Sequence, residues 1–282
     1  MWHLVEPVHA VTYFAPEARA AADGAGMRGF WMGYVAQRAA PLGPVTAATV
    51  TASFFGFHPD RIARALPDAW GLASPEQLLR VRRTAAAAAL RRVVGVLEED
   101  PDPAAEAAEL AWRAAAASEV SGRALAAANQ ALPRPTDPVE TLWQATTTLR
   151  EQRGDGHVAV LVAHGLGPVT AHALKVAAGD TDTPMLRASR SWSDGAWQAA
   201  EEDLRTRGVL DAAGTLTADG VAFRDRIEAL TDARAAQPWL RLGHAGTERL
   251  AALLAPVAEA VLSGGTVPMP NPIGLPVAPE ER

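Results

Sequence analysis

The residues best suited to chemistry in this sequence of 282 residues are Arg150, Glu151, Arg153, Asp155 and His157, gathered around Gly154 and Gly156. An unperturbed histidine titrates at about 6.5, so beside a carboxylate it can take up and return a proton. An arginine presents a planar fork of donors that grips a carboxylate or phosphate through two bonds. Glycines let a ligand approach the backbone closely. The segment therefore reads as a ligand site. His157 would transfer a proton, Asp155 or Glu151 would orient it, and Arg150 or Arg153 would hold an anion. The competing reading is a capped turn, with Asp155 capping a helix that starts at Gly156 and the arginines paired internally.

Aromatic rings supply the apolar part of such a site. Trp31, Trp70, Trp192 and Trp197, with Phe54, Phe55 and Phe57, either line a pocket or fill a core, and His58 follows the phenylalanines directly. The expected ligand contacts are Arg150, Arg153, Trp192, Trp197, Phe54 and His58. Other chemistries lack their residues. Cysteine is absent, which removes disulfides, thiolate metal sites and thiol nucleophiles together. His157, His164 and His172 have no close ligand spacing, so no metal site is expected. No phosphate-cradling glycine loop and no nucleophile-elbow motif occurs, and the cofactor is left open. The functional expectation is a small-molecule-binding protein, extending to a cofactor-independent enzyme with histidine acid/base chemistry. The alternative is a ligand-responsive regulator that binds DNA.

The elements that must position these residues read as helices. Pro138 to Arg153 is an expected helix, Gly154-Asp155-Gly156 a turn, and His157 to His164 a second helix. Gly165 to Pro168 break the chain before a helix over 169–178, and Ser193 caps another that runs to Arg207. Gly208 to Thr217 reads as a short β-hairpin, an apolar strand and a small-residue turn leading to a second strand. A helix over 218–236 and one over 244–262 follow. In the first half, Ser74-Pro75-Glu76 starts a long helix bearing Arg80, Arg82, Arg83, Arg91 and Arg92, and 104–131 is helical. The order of helices, hairpin and helix is that of a winged helix. Leu42-Gly43-Pro44-Val45-Thr46-Ala47 recurs as Leu166 to Ala171, which points to a tandem arrangement. The fold expectation is mostly α, with tandem degenerate helix-turn-helix units. The C-terminal unit is a MarR-like winged helix with a short β-hairpin wing. The expected divisions are a helical domain over 1–132, a winged-helix domain with a C-terminal helix over 138–262, and an extended tail rich in proline and glycine over 263–282.

A wider resemblance rests on Phe14 to Glu17, Arg38 to Gly43, Ala65 to Trp70, Leu149 to His157, Ser191 to Ser193 and Ile227 to Asp232. Over nearly its full length the chain resembles an actinobacterial helix-turn-helix family that includes the SalK-type proteins of polyether-antibiotic clusters. The resemblance implies the fold and a setting in secondary metabolism, and little about activity.

Charge bears on the partner. Residues 1–136 hold equal numbers of acidic and basic side chains, so the whole formal charge of -6 falls in the second half. The expected recognition helix carries Asp194, Glu201, Glu202 and Asp203, with Arg205 and Arg207 only at its far end. Phosphate binding needs clustered positive charge. DNA is therefore disfavoured as a partner, and a small-molecule ligand is expected. No uncharged apolar run reaches about 18 residues, and no basic segment precedes an apolar one at the start. The expected location is the cytoplasm, away from any membrane, as a monomer or homodimer.

Overall fold

The computed structural model describes residues 1–95, 101–181, 183–269 and 271–275. It begins with α1 (Trp2–Phe14), α2 (Pro16–Gly24), α3 (Gly29–Ala39) and a 3-10 turn over Ala40–Leu42. Next come α4 (Ala47–Phe54), α5 (Pro59–Ala63), α6 (Asp68–Leu72) and α7 (Pro75–Val93). The middle comprises α8 (Pro101–Ala116), α9 (Ala124–Gln130) and α10 (Pro138–Ala163). The remainder is α11 (Pro168–Ala177), α12 (Thr183–Arg190), α13 (Asp194–Thr206), α14 (Ala218–Ala235), α15 (Gln237–Leu242) and α16 (His244–Ser263).

The axis of the molecule is α10. Asp137 starts it by accepting from the backbone N–H of Glu140 at 2.9 Å, and Pro138 occupies the first helical position, where the missing donor costs nothing. From Thr141 to Leu149 the helix is buried on every side, Trp143 and Leu142 completely. Polar residues survive there because Thr146, Thr147 and Thr148 return their hydroxyl protons to carbonyls three or four residues back. Around α10 pack α1, α7, α8, α9 and α14. One apolar core joins α1, α7, α8, α16 and the front of α10. A second gathers α2 through α7 with Leu125 of α9, and a third joins the end of α10 to the helices from α11 to α14.

Several expectations are corrected. The winged hairpin is absent. Among the described residues there is no strand, and Leu210 and Leu216 form one isolated antiparallel bridge. Gly208 ends α13 at φ 70°, and Thr217 already caps α14 through Gly220 N–H at 2.9 Å. The residues between keep two ladder bonds, Asp211 N–H to the Thr215 carbonyl at 2.9 Å and Thr217 N–H to the Val209 carbonyl at 3.0 Å, which make no strand. Asp211 closes them into a loop instead, its Oδ1 accepting from Ala213 and Thr215 at 2.9 Å each. The expected turn at Gly154–Gly156 is also absent, since α10 runs through it unbroken. Helix is likewise interrupted between Ala116 and Ala124, with Gly122 at φ 72°. The repeated hexapeptide starts a helix in both places, but three residues apart. In the first copy Thr46 is the cap and Trp70 Nε1 holds the Val45 carbonyl at 2.9 Å outside the helix. In the second copy Gly167 is the cap and Pro168 the first residue. The described part of the tail turns back on itself, with Val267, Asn271 and Leu275 buried, while 276–282 lie outside the described residues. Among the described residues no single helix is long and apolar enough to cross a membrane.

Candidate functional site

A cavity of about 820 Å³ opens where the three cores meet. Its walls come from the start of α1, from α3 and the Phe54–Phe57 corner, and from the second half of α10. The face of α11, the face of α14 and residues 272–274 complete them. Phe55 shapes the corner with φ 55°, an uncommon backbone for a bulky residue, and turns the chain after α4.

Beneath the floor lies a buried ionic network. Arg38 grips Glu151 in a two-bond fork, Nε to Oε1 at 2.9 Å and Nη2 to Oε2 at 3.0 Å. Arg150 Nη1 adds a third bond to Oε2 at 3.0 Å. Burial opposes the charge on Glu151, but Arg38 and Arg150 outweigh it and hold the carboxyl well below the usual range. Such a group fixes two arginines in place and is a poor proton carrier. Glu6 sits 3.5 Å from Arg150 Nε, and neither of its oxygens receives a hydrogen bond among the described residues. Burial dominates there and pushes its pKa up to about 7, despite Arg150.

His157 faces the cavity from α10. Its Nδ1 lies 2.9 Å from Thr231 Oγ1, whose own proton goes to the Ile227 carbonyl at 2.8 Å. Thr231 must therefore accept, so His157 carries its proton on Nδ1 and leaves Nε2 with a lone pair. Burial, aided by the charges of Arg153 and Lys175 and opposed by Glu228, lowers its pKa to about 4. The ring is a neutral base at neutral pH. Asp155 does not orient it, because residues two apart on a helix point in different directions. Asp155 instead accepts from the Ala126 N–H at 3.0 Å and is raised to about 6, by burial first and then by Glu151.

The wall is rich in cations. Arg153 pairs with Glu228 at 3.2 Å and Asp232 at 3.0 Å and lies 4.6 Å over the Trp2 ring. Arg224 takes Asp180 at 2.9 Å. Lys175 and Arg190 have no carboxylate partner among the described residues. Lys175 Nζ donates to the Ile273 carbonyl at 3.1 Å, and Arg190 reaches the Pro272 carbonyl at 3.4 Å with its guanidinium over Phe57.

Of the residues expected from sequence, His157, Asp155, Arg150, Arg153 and Phe54 are brought to the cavity, while Glu151 lies behind the wall, bonded to Arg38 and Arg150. Trp192, Trp197 and His58 are not in its wall. Trp192 donates to the Gly56 carbonyl at 2.9 Å and packs on His58, which caps α5. Trp197 is buried in the third core and donates to Glu201 at 3.0 Å. Sequence reasoning missed Arg38, Lys175 and Arg190 as site residues. Lys175 carried a signal, being the sole lysine of the chain. Among the described residues no group of three or more candidate ligands could hold a metal.

The outer face of α13 is electrostatically closed. Arg205 pairs with Glu201 and Glu202, Arg207 with Asp203, and Arg187 with Asp194. Four of the five arginines of α7 are engaged as well. Arg83 meets Glu140, Arg91 meets Asp137 and Arg92 meets Glu17, while Arg82 is buried against the Gln37 carbonyl.

Residues 1–268 match a family described as a helix-turn-helix family. No curated protein matches the chain, and no solved structure does so.

Proposed function

The chain belongs to the helix-turn-helix family, and we propose that it uses this scaffold to bind a small anionic molecule with an apolar body. The observation that carries the reading is the cavity of about 820 Å³, within the size range of small-molecule sites. Its wall sets Arg153, Lys175 and Arg190 beside Trp2, Phe54 and Phe57. Arg153 Nε is buried without an acceptor among the described residues, a donor that a ligand oxygen would satisfy. In this reading Arg150, Arg153 and Arg190 surround the anion, Phe54 covers the apolar part, and Glu151 anchors Arg150. His157 Nε2 accepts a hydrogen bond or a proton from the ligand, which is how acid/base catalysis would enter. The SalK-type resemblance supports a ligand from secondary metabolism.

The test is a fluorescence titration with anilinonaphthalene sulfonate, an anionic aromatic probe. Saturable binding at one site is expected, weakened about tenfold by Arg153→Gln and by Phe54→Leu, about 1.4 kcal/mol each. Melting curves confirm that both variants fold. The absence of saturable binding, or affinities indifferent to both substitutions, overturns the reading. Family membership favours a second reading, a DNA-binding regulator. The paired arginines of α13 oppose it, because carboxylates on a phosphate-facing surface repel the backbone.

A further inference from the structure

We infer that Lys175 is an imine-forming lysine, and that the cavity takes a carbonyl compound bearing a carboxylate, its carbonyl on Lys175 and its carboxylate on Arg190. The inference rests on the cavity reading above and names the chemical class of its ligand. Three features carry it. In a chain otherwise furnished with arginine, the only lysine stands in the cavity wall. The acids that could have paired with its amine are taken, Asp180 by Arg224 at 2.9 Å and Glu228 by Arg153 at 3.2 Å. Among the described residues, what remains for Nζ is the Ile273 carbonyl at 3.1 Å, a neutral acceptor that an incoming ligand can replace. An ammonium without a counterion, facing a second cation, is the setting in which a lysine sheds its proton and becomes a nucleophile. Burial first, and Arg190 second, lower the Lys175 pKa to about 8.

Arg190 supplies the second half of the site. Its guanidinium is stacked at 4.3 Å over Phe57 and touches only the edge of hydrogen-bond range at the Pro272 carbonyl, 3.4 Å. A carboxylate would make a far stronger charge-assisted pair there. The neighbouring carbonyls of Pro272 and Ile273 thus occupy the places that the ligand's oxygens would take. Asn271 holds this short segment, accepting from Leu275 N–H at 3.0 Å and donating to its carbonyl at 2.9 Å.

The step balances without an oxidant or reductant. The Nζ lone pair forms a C–N bond to the carbonyl carbon, and the C=O pair moves onto oxygen. The C–O bond then breaks as C=N forms, and both amine hydrogens leave with the oxygen as water. The groups whose charges bear on this amine are Arg190, Asp180, Glu228 and Glu6, and His157 lies close enough to feel it.

The experiment incubates the full chain with para-carboxybenzaldehyde and cyanoborohydride at neutral pH, followed by peptide mass mapping. The single lysine makes the map unambiguous, with the Met1 amine as the internal comparison. One saturable adduct on Lys175 is expected. Benzaldehyde, lacking the carboxylate, should trap about tenfold less, an advantage that Arg190→Gln abolishes. Lys175→Arg should leave no adduct on that peptide. Labelling confined to Met1, or Lys175 labelled no faster than Nα-acetyl-lysine, overturns the inference. If anilinonaphthalene sulfonate still binds in that case, only the imine assignment fails. If it does not bind, the cavity reading fails as well.

Discussion

Glu6 carries a carboxyl wholly inside the protein with no hydrogen bond to either oxygen among the described residues. Its pKa rises from 4.5 to about 7, so the folded state holds this proton more tightly than the unfolded chain. The stability it contributes is complete below about pH 4.5 and is lost as pH climbs through 7. His157 runs the other way. Its folded pKa of about 4 lies below 6.5, so its contribution is present above 6.5 and disappears as pH falls toward 4. Glu6→Gln removes the first dependence and keeps the shape. Compared with the parent by urea unfolding, the variant should gain stability between pH 5 and pH 8 by roughly 2 kcal/mol. A difference that stays constant over that range would contradict the buried protonation assigned to Glu6. The same residue shows why the site was half legible. Arg150, Glu151, Arg153 and His157 stand close together in sequence, whereas Glu6, Arg38 and Arg190 reach them from other helices and leave no local pattern.

Elements were misread where glycine was taken for a breaker. Gly154 and Gly156 lie inside α10, and the reason at Gly156 is close approach. A Cβ there would meet Arg123 Nη1 at 2.7 Å, and that guanidinium donates to the Gln152 carbonyl on the same helix and to Arg234 across from it. The cluster lies together along one helix wall of the cavity rather than around a turn, because the bare backbone at Gly156 serves a neighbouring side chain. The lost wing has a similar origin. The run from Gly208 to Thr217 reads as a strand, a small-residue turn and a second strand, yet both flanking helices claim its ends through Gly208 and Thr217. α14 sits so tightly on this loop that a Cβ on Gly220 would overlap the Val209 carbonyl oxygen. Gly220→Ala should therefore destabilise the protein by roughly 3 kcal/mol in urea unfolding. Gly195→Ala, on α13 with nothing within 4 Å of the added methyl, should be neutral or stabilising by up to about 1 kcal/mol. Equal and small effects at both positions would refute the close docking of α14 on the loop.

Across the whole molecule, the surface a DNA reader would present and the interior a ligand binder would need are built differently. The face of α13 spends its arginines on its own and adjacent acids. The cavity keeps Lys175 and Arg190 without carboxylate partners among the described residues. Helical character, the caps at Ser74 and Ser193 and the polar cluster on α10 could be read from the chain, since each depends on neighbours in sequence. The meeting of three cores around one cavity could not, since it depends on how α1, α11, α14 and residues 272–274 converge on α10.

Hydrogen–deuterium exchange with and without saturating anilinonaphthalene sulfonate tests this division most directly. Slowed exchange is expected at the start of α1, at Phe54–Phe57, along α10 from Arg150 to Val158 and at 272–274 together, with α13 unchanged. Protection confined to α13, or no protection of the cavity segments at saturation, would contradict the account.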